Sequence, residues 1–206
     1  MTVSTNIPAK RKRKVPAYLI YETLNGKPLY YKGYKEVLNK KKKPEEIMGS
    51  SSLQAAIVSL IHVYLSINLS DDYFVFTNEA GLHLDLGENL ANDIAIFLQD
   101  DVPALDDKYF STSPKIVVEV DIKADVSDYE AEEQYIIEKT QKMLEFGVEK
   151  VIWVLTKNKK IFVAEKSNPT WIITNWQQTI AVTENCELNL NELVKKKKLT
   201  AHLAVW

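Results

Sequence analysis

The feature that most constrains the fold is a strand–helix–strand succession between residues 116 and 155. Residues 116–123 (IVVEVDIK) are rich in β-branched side chains, residues 129–146 have helical patterning that ends at Gly147, and residues 151–155 (VIWVL) form a continuous apolar run. Such runs are typical of strands that are covered on both faces of a sheet. Because a strand–helix–strand unit crosses over with right-handed geometry, the two strands should lie side by side and parallel. The sequence therefore predicts an α/β fold.

Other segments predict what surrounds this unit. Asn25-Gly26, within the alternating residues 18–34, favours a two-residue hairpin turn because both positions accept positive φ. A helix is expected over residues 53–69, after serines that can cap it. Further strands are predicted at residues 73–77, 83–86, 93–98, 161–164, 171–176 and 179–182. We expect a mixed β-sheet flanked by helices, with an N-terminal β-hairpin and C-terminal antiparallel strands.

Length and composition favour one domain. The 206 residues suit a basic flexible head over residues 1–15 and a single domain over residues 16–206. A lone Cys186 allows no internal disulfide, so the cytoplasm is the default location. Residues 53–69 contain several polar side chains and are shorter than the roughly 20 residues of a membrane span, which predicts a buried helix and no membrane.

Several catalytic classes can be excluded. His62, His83 and His202 are not spaced as a zinc site, and six glycines form no phosphate-binding loop. Cys186 is far in sequence from each histidine, and no GxSxG elbow is present, which argues against nucleophilic hydrolases. Carboxylates and lysines remain as candidate catalytic groups.

Residues 116–123 contain such groups. If the strand is regular, Glu119, Asp121 and Lys123 share one face, which could be a solvated charged face or a site. The strand opens the strand–helix–strand unit, and strands in that position present their ends to a binding crevice. Asp93 begins a neighbouring predicted strand, and two carboxylates from adjacent strands suffice for Mg²⁺ together with phosphate and water. A nearby lysine would stabilise charge on a phosphodiester under attack.

Three stretches in this order carry a resemblance to a known family: residues 92–96 (NDIAI), 116–120 (IVVEV) and 139–154 (KTQKMLEFGVEKVIWV). Together they resemble the Uma family of putative restriction endonucleases, within the PD-(D/E)XK nuclease superfamily, and the resemblance extends over about residues 18–194. It implies a restriction-endonuclease-like fold and a metal-dependent nuclease. It also implies that Asp93 and Glu119 are the metal ligands and that the following helix supplies the catalytic lysine, Lys139.

The family pattern leaves the lysine open. The usual motif has lysine two residues after the glutamate, where this chain has Asp121. Asp121, Ile122 and Lys123 can also be interpreted as a shifted DXK triplet, which would make Lys123 the catalytic lysine. Glu79 falls where family members have a strand acid, and it could complete a second metal site.

The sequence thus predicts an endonuclease that uses Mg²⁺ or Mn²⁺ to hydrolyse DNA phosphodiester bonds. A homodimer is expected because cutting two strands needs two sites. The alternative is a noncatalytic module of the same fold that binds nucleic acid or protein. Asp121 in the lysine position and the formal net charge of −2 favour that alternative.

Overall fold

The computed structural model describes residues 14–201, so all but the last two residues of the predicted basic head lie outside the described residues. The strands are β1 (Ile20–Leu24), β2 (Lys27–Tyr30), β3 (Tyr73–Asp85), β4 (Glu88–Leu98), β5 (Ile116–Val120), β6 (Lys150–Leu155), β7 (Lys160–Glu165), β8 (Asn168–Asn175), β9 (Ile180–Thr183) and β10 (Cys186–Leu188). The helices are α1 (Tyr34–Leu38), α2 (Glu45–Met48), α3 (Ser52–Asn68), α4 (Glu132–Phe146) and α5 (Leu190–Lys196).

Eight strands form one mixed sheet, as the sequence predicts. Its order is β2-β1-β4-β5-β6-β7-β8, and β3 pairs with the other edge of β4. Strands β5 and β6 are parallel and α4 connects them, which confirms the predicted strand–helix–strand unit. The N-terminal hairpin is also confirmed, with Asn25 and Gly26 both at positive φ in its turn.

One edge of β4 is shared between two strands. Its first part pairs with β1 through Asn89, and its last part pairs with β5 through residues 94–96. Residues 90–93 lie between these pairings, where the sheet forks. The backbone groups of this short stretch are therefore open to side chains, and the candidate site forms there.

The region of β3 and β4 differs from the sequence prediction. We expected three short strands, with Asp93 starting the last, but the structure has one long hairpin with Asp93 inside β4. Strand β3 stays continuous because Asn78 and Glu79 form a bulge, both with positive φ, opposite residues 92–94. The chain turns at Gly87, also at positive φ.

Strand β5 is shorter than predicted. It ends at Val120, and Asp121 has φ 57°, which breaks the alternation of side chains. The expectation that Glu119, Asp121 and Lys123 share one strand face is therefore wrong, because only Glu119 is in the strand.

Helices cover both faces of the sheet. The predicted long helix is α3, capped by the Ser51 hydroxyl, which accepts from the Gln54 amide at 3.1 Å. It packs Ile57 and Ile61 against the sheet together with α5, while α4 buries Met143 on the opposite face. Within the described residues 14–201, no helix is both long and apolar enough to cross a membrane.

The C-terminal strands are only partly as predicted. Strands β7 and β8 extend the main sheet, but β9 leaves it and pairs with β10 in a separate two-stranded sheet. The reason is burial, since Ile180, Val182 and Leu188 pack into the apolar layer shared with α3. The closing antiparallel meander therefore bends over the core and does not widen the sheet.

Candidate active site

The site lies at the fork of the sheet, beside the carboxyl end of β5. Continuing the register of β4 and β5 by one pair places Asp93 directly opposite Glu119. The two residues are then separated by the short distance between paired residues of neighbouring antiparallel strands. The Asp93 Oδ2 atom accepts from the Val120 amide at 2.8 Å and from Gln54 Nε2 at 3.3 Å. Gln54 also donates to the Val120 carbonyl at 2.6 Å. These bonds fix the Asp93 carboxylate beside the backbone of β5, next to the residue that follows Glu119.

Lys139 reaches the same point from α4. Its Nζ atom lies 2.8 Å from the Ala91 carbonyl oxygen, 2.8 Å from Glu22 Oε2 and 3.0 Å from Glu119 Oε1. The side chain is only 1% exposed. Three aromatic rings have their centroids 5.8–6.0 Å from the ammonium, those of Tyr21, Tyr135 and Trp153. The ammonium is thus enclosed by acids, one carbonyl and ring faces.

The charge of Lys139 is fixed by these neighbours. Burial alone would lower its pKa, but the Glu119 and Glu22 carboxylates raise the pKa above the ordinary value for lysine. Lys139 is therefore an ammonium at neutral pH, and it can donate hydrogen bonds and stabilise negative charge. It cannot act as a general base there.

Glu119 is the most perturbed acid of the site. Burial raises its pKa from 4.5 to about 8; the Lys139 charge opposes this shift, whereas Asp93 and Glu22 add to it. The side chain is 2% exposed, and its Oε1 atom lies 3.0 Å from the Lys139 ammonium, outside hydrogen-bond geometry and with no other donor among the described residues. A buried carboxylate oxygen that has an ion-pair partner but no aligned hydrogen bond keeps its lone pairs for a ligand, so this oxygen is suited to a ligand from outside the chain.

The charge balance fits a divalent cation. Ionised together, Asp93, Glu119 and Glu22 carry three negative charges against the single positive charge of Lys139, which leaves −2. Residues 14–201 contain no group of three or more His, Cys, Asp or Glu side chains placed to hold a metal. Two carboxylates are nevertheless enough for Mg²⁺ when water and a substrate phosphate complete its shell. Asp93 and Glu119 would be the residues that hold it.

Glu79 and Lys123 form a separate pair at the edge of the site. The Lys123 ammonium contacts Glu79 Oε1, and the Lys123 side chain is 10% exposed. Its charge lowers the pKa of Asp93, although burial outweighs it and raises that pKa overall. Within the described chain, the ammonium that contacts Glu119 is that of Lys139 and not that of Lys123.

Asp121 does not join the cluster. Its two carboxylate oxygens accept from the Thr156 amide at 2.7 Å and the Thr156 hydroxyl at 2.6 Å. Asp121 thereby ties the end of β5 to the residue that follows β6. The structure thus brings Asp93, Glu119 and Lys139 together and directs Asp121 elsewhere.

Sequence reasoning did not identify Glu22, which the structure places in contact with Lys139. A signal for it was present, because alternation along β1 puts Glu22 on the same buried face as Leu24. An acid that faces inward needs a partner. The position of Gln54 at the start of α3 is that of a cap or core-edge residue, or of a residue that orients water, and the contact of its side chain with Asp93 emerges only from the fold.

A cavity of about 570 Å³ adjoins the site where the parallel strands β5 and β6 end. Gln54 belongs to both, since it lines the cavity and contacts Asp93. The cavity is also lined by four lysines (Lys32, Lys42, Lys123 and Lys157) and three acids (Glu46, Asp121 and Glu132), so its lysines outnumber its acids. In open α/β sheets, ligands bind at the carboxyl ends of the strands.

Residues 41–199 match the sequence model of the family Uma2, described as "Putative restriction endonuclease". This match spans well over half of the chain, and the protein belongs to that family.

A solved structure shares the fold. It is the crystal structure of "a putative nuclease belonging to DUF820 from Anabaena variabilis ATCC 29413". The match has a TM-score of 0.58 at 14% identity and covers 84% of this chain and 89% of that one. Among curated proteins, no match to this chain was found.

Proposed function

We propose that this protein is an endonuclease that hydrolyses DNA phosphodiester bonds with Mg²⁺, or Mn²⁺, held by Asp93 and Glu119. The observation that carries the proposal is the buried Glu119 Oε1, which lies 3.0 Å from the Lys139 ammonium outside hydrogen-bond geometry and accepts from no other donor among the described residues. Membership of a family described as putative restriction endonucleases supports the nuclease part of the proposal.

Each residue of the cluster has a distinct part in the proposed reaction. The Val120 amide and Gln54 orient the Asp93 carboxylate, so that it needs little reorganisation when a ligand binds. Lys139 is permanently charged and would stabilise the negative charge that develops on the phosphate, or orient the attacking water. A bound divalent ion would supply Lewis acidity and lower the pKa of a coordinated water.

The lysine-lined cavity is the proposed approach for the DNA backbone. Lys32, Lys42 and Lys157 stand next to the site although the whole chain has a net charge of −2. A local cluster of this kind neutralises phosphates and makes binding dependent on salt.

Cutting both strands requires two such sites, so we also propose that the protein acts as a homodimer. Sedimentation velocity checks the homodimer, which a purely monomeric protein at assay concentrations would contradict.

The experiment is cleavage of supercoiled plasmid in Mg²⁺ or Mn²⁺. We expect the wild-type protein to cut, and Glu119→Gln and Asp93→Asn to lose at least about 100-fold in rate. Asp121→Asn is the matched control, because this acid lies two residues from Glu119 but binds Thr156, and it should keep its activity.

The noncatalytic alternative gives a different result. Such a module would bind DNA or protein without cutting, and its binding would be indifferent to metal and to Glu119→Gln. Equal activity of wild-type protein and both acid variants would also contradict the proposal, because it would point to a contaminating nuclease.

A further inference from the structure

We infer that Glu22 is a positioning residue that holds the Lys139 ammonium and thereby keeps Glu119 free to bind a cation. The inference rests on the proposed function. It adds Glu22 of the N-terminal hairpin, together with Tyr135 of α4, to the residues that support the site.

The two acids beside Lys139 have opposite surroundings. Both oxygens of Glu22 are occupied, because Oε1 accepts from the Tyr135 hydroxyl at 2.5 Å and Oε2 contacts Lys139 at 2.8 Å. The side chain of Glu22 is fully buried. Glu119, by contrast, has a buried oxygen whose 3.0 Å contact with Lys139 lies outside hydrogen-bond geometry and which accepts from no other described donor. Glu22 is thus committed to the protein, whereas Glu119 is available to a ligand.

A single residue of β4, Ala91, closes the arrangement through both of its backbone groups. The Ala91 amide lies 3.4 Å from Glu22 Oε2, and the Ala91 carbonyl accepts from Lys139 Nζ at 2.8 Å. Ala91 lies in the stretch between the β1 and β5 pairings, so these backbone groups are free for side chains. Glu22, Lys139 and Ala91 therefore form a closed ring of contacts at the fork.

This ring of contacts fixes the position and orientation of the Lys139 ammonium. The four-carbon stem of lysine is flexible, and an unrestrained ammonium beside an acid would turn toward it and pair with it. Here Glu22 and the Ala91 carbonyl direct the ammonium so that it stays 3.0 Å from Glu119 without forming a hydrogen bond. Without Glu22, the ammonium would turn fully toward Glu119, form a hydrogen bond with Oε1 and compete with a divalent cation for that oxygen.

The test uses the full chain and compares steady-state cleavage by four single variants. Glu22→Gln removes the charge at nearly constant shape, and we expect kcat to fall by about 30-fold or more with KM for DNA changed by less than about 2-fold. It should also raise the Mg²⁺ concentration needed for half-maximal rate. Tyr135→Phe removes only the hydroxyl that holds Glu22, and about a 5-fold loss in kcat is expected.

A matched control and a double variant separate positioning from general damage. Tyr129→Phe removes another tyrosine hydroxyl, one that lies near Glu138, and should leave kcat unchanged. Glu22→Gln should have no further effect when Lys139 is already replaced by methionine, because Glu22 acts through Lys139. If the losses in kcat caused by Glu22→Gln and Lys139→Met multiply in the double variant, or if Glu22→Gln changes only KM, the inference is overturned.

Urea unfolding distinguishes failure of this inference from failure of the proposed function. If the wild-type protein cuts no DNA in either metal, the nuclease proposal fails, but the coupling of Glu22 and Lys139 can still be measured. Glu22→Gln should lower the urea midpoint in the wild-type background and not in the Lys139→Met background. Equal shifts in both backgrounds would refute the inference. If Glu22→Gln does not fold, the same comparison with Tyr135→Phe decides it.

Discussion

Replacing Glu119 by glutamine should make the stability of the metal-free protein less sensitive to pH. The unfolded chain releases the Glu119 proton near its ordinary pKa of 4.5, whereas the folded protein keeps it to a pKa of about 8 because the carboxyl is buried. Between these values the folded state binds more protons, so wild-type stability falls as pH rises. The amide of Glu119→Gln does not ionise and avoids this loss.

The magnitude follows from the shift. Each unit of pKa difference corresponds to about 1.4 kcal/mol, so a shift from 4.5 to about 8 allows a change of at most about 5 kcal/mol. The stability of the variant relative to wild type should therefore rise by a few kcal/mol between pH 4 and pH 9. This is a large part of the 5–15 kcal/mol that is typical of domains.

The assay is urea unfolding of both proteins, with chelator, at half-unit pH steps. We expect the difference in free energy of unfolding to be small below pH 4.5, to grow through pH 8 and then to level off. Added Mg²⁺ should reduce the difference at high pH, since a cation stabilises the ionised carboxylate of the wild type only. A difference that does not vary with pH would refute the buried, proton-retaining Glu119.

Three further predictions concern single side chains. Lys139→Met should reduce plasmid cleavage by about 100-fold or more, while Lys123→Met should reduce it by less than about 10-fold; the reverse order would support the shifted DXK interpretation. Gly147→Ala should cost about 1–3 kcal/mol in urea unfolding, because φ is 127° and the new Cβ would lie 2.6 Å from a serine hydroxyl; unchanged stability would contradict this. Thr156→Val removes the hydroxyl that donates to the Asp121 carboxylate, and it should cost about 1 kcal/mol in stability without slowing cleavage. A loss of cleavage would indicate that Asp121 belongs to the active site.

Much of the fold could be predicted because its signals are local. The Asn25-Gly26 turn, the serine-capped α3 and the apolar strand β6 each specify their own conformation. The continuity of β3 could not be predicted in the same way, since its bulge puts Asn78 and Glu79 at positive φ inside the strand. Such a bulge depends on pairing with β4, which no local pattern reveals.

The site was partly predictable for a related reason. Asp93 and Glu119 could be proposed as neighbours from strand adjacency, and Lys139 from the family resemblance. The direction of the Asp121 side chain could not be predicted from the sequence. Asp121 has a φ of 57°, which ends β5 two residues before Ile122 and turns the carboxylate toward Thr156. Glu22 is 117 positions from Lys139 in the sequence, and their contact exists only once the hairpin joins β4 at the fork.

Metal binding by the purified protein tests the central claim most directly. Titration calorimetry with Mn²⁺ or Mg²⁺ in the absence of DNA should show binding to the wild-type protein that is lost in both Glu119→Gln and Asp93→Asn and kept in Asp121→Asn. Dependence on both acids is expected because the strand register places them side by side at the fork. Metal binding that is absent from the wild type, or unchanged in the two acid variants, would contradict the account.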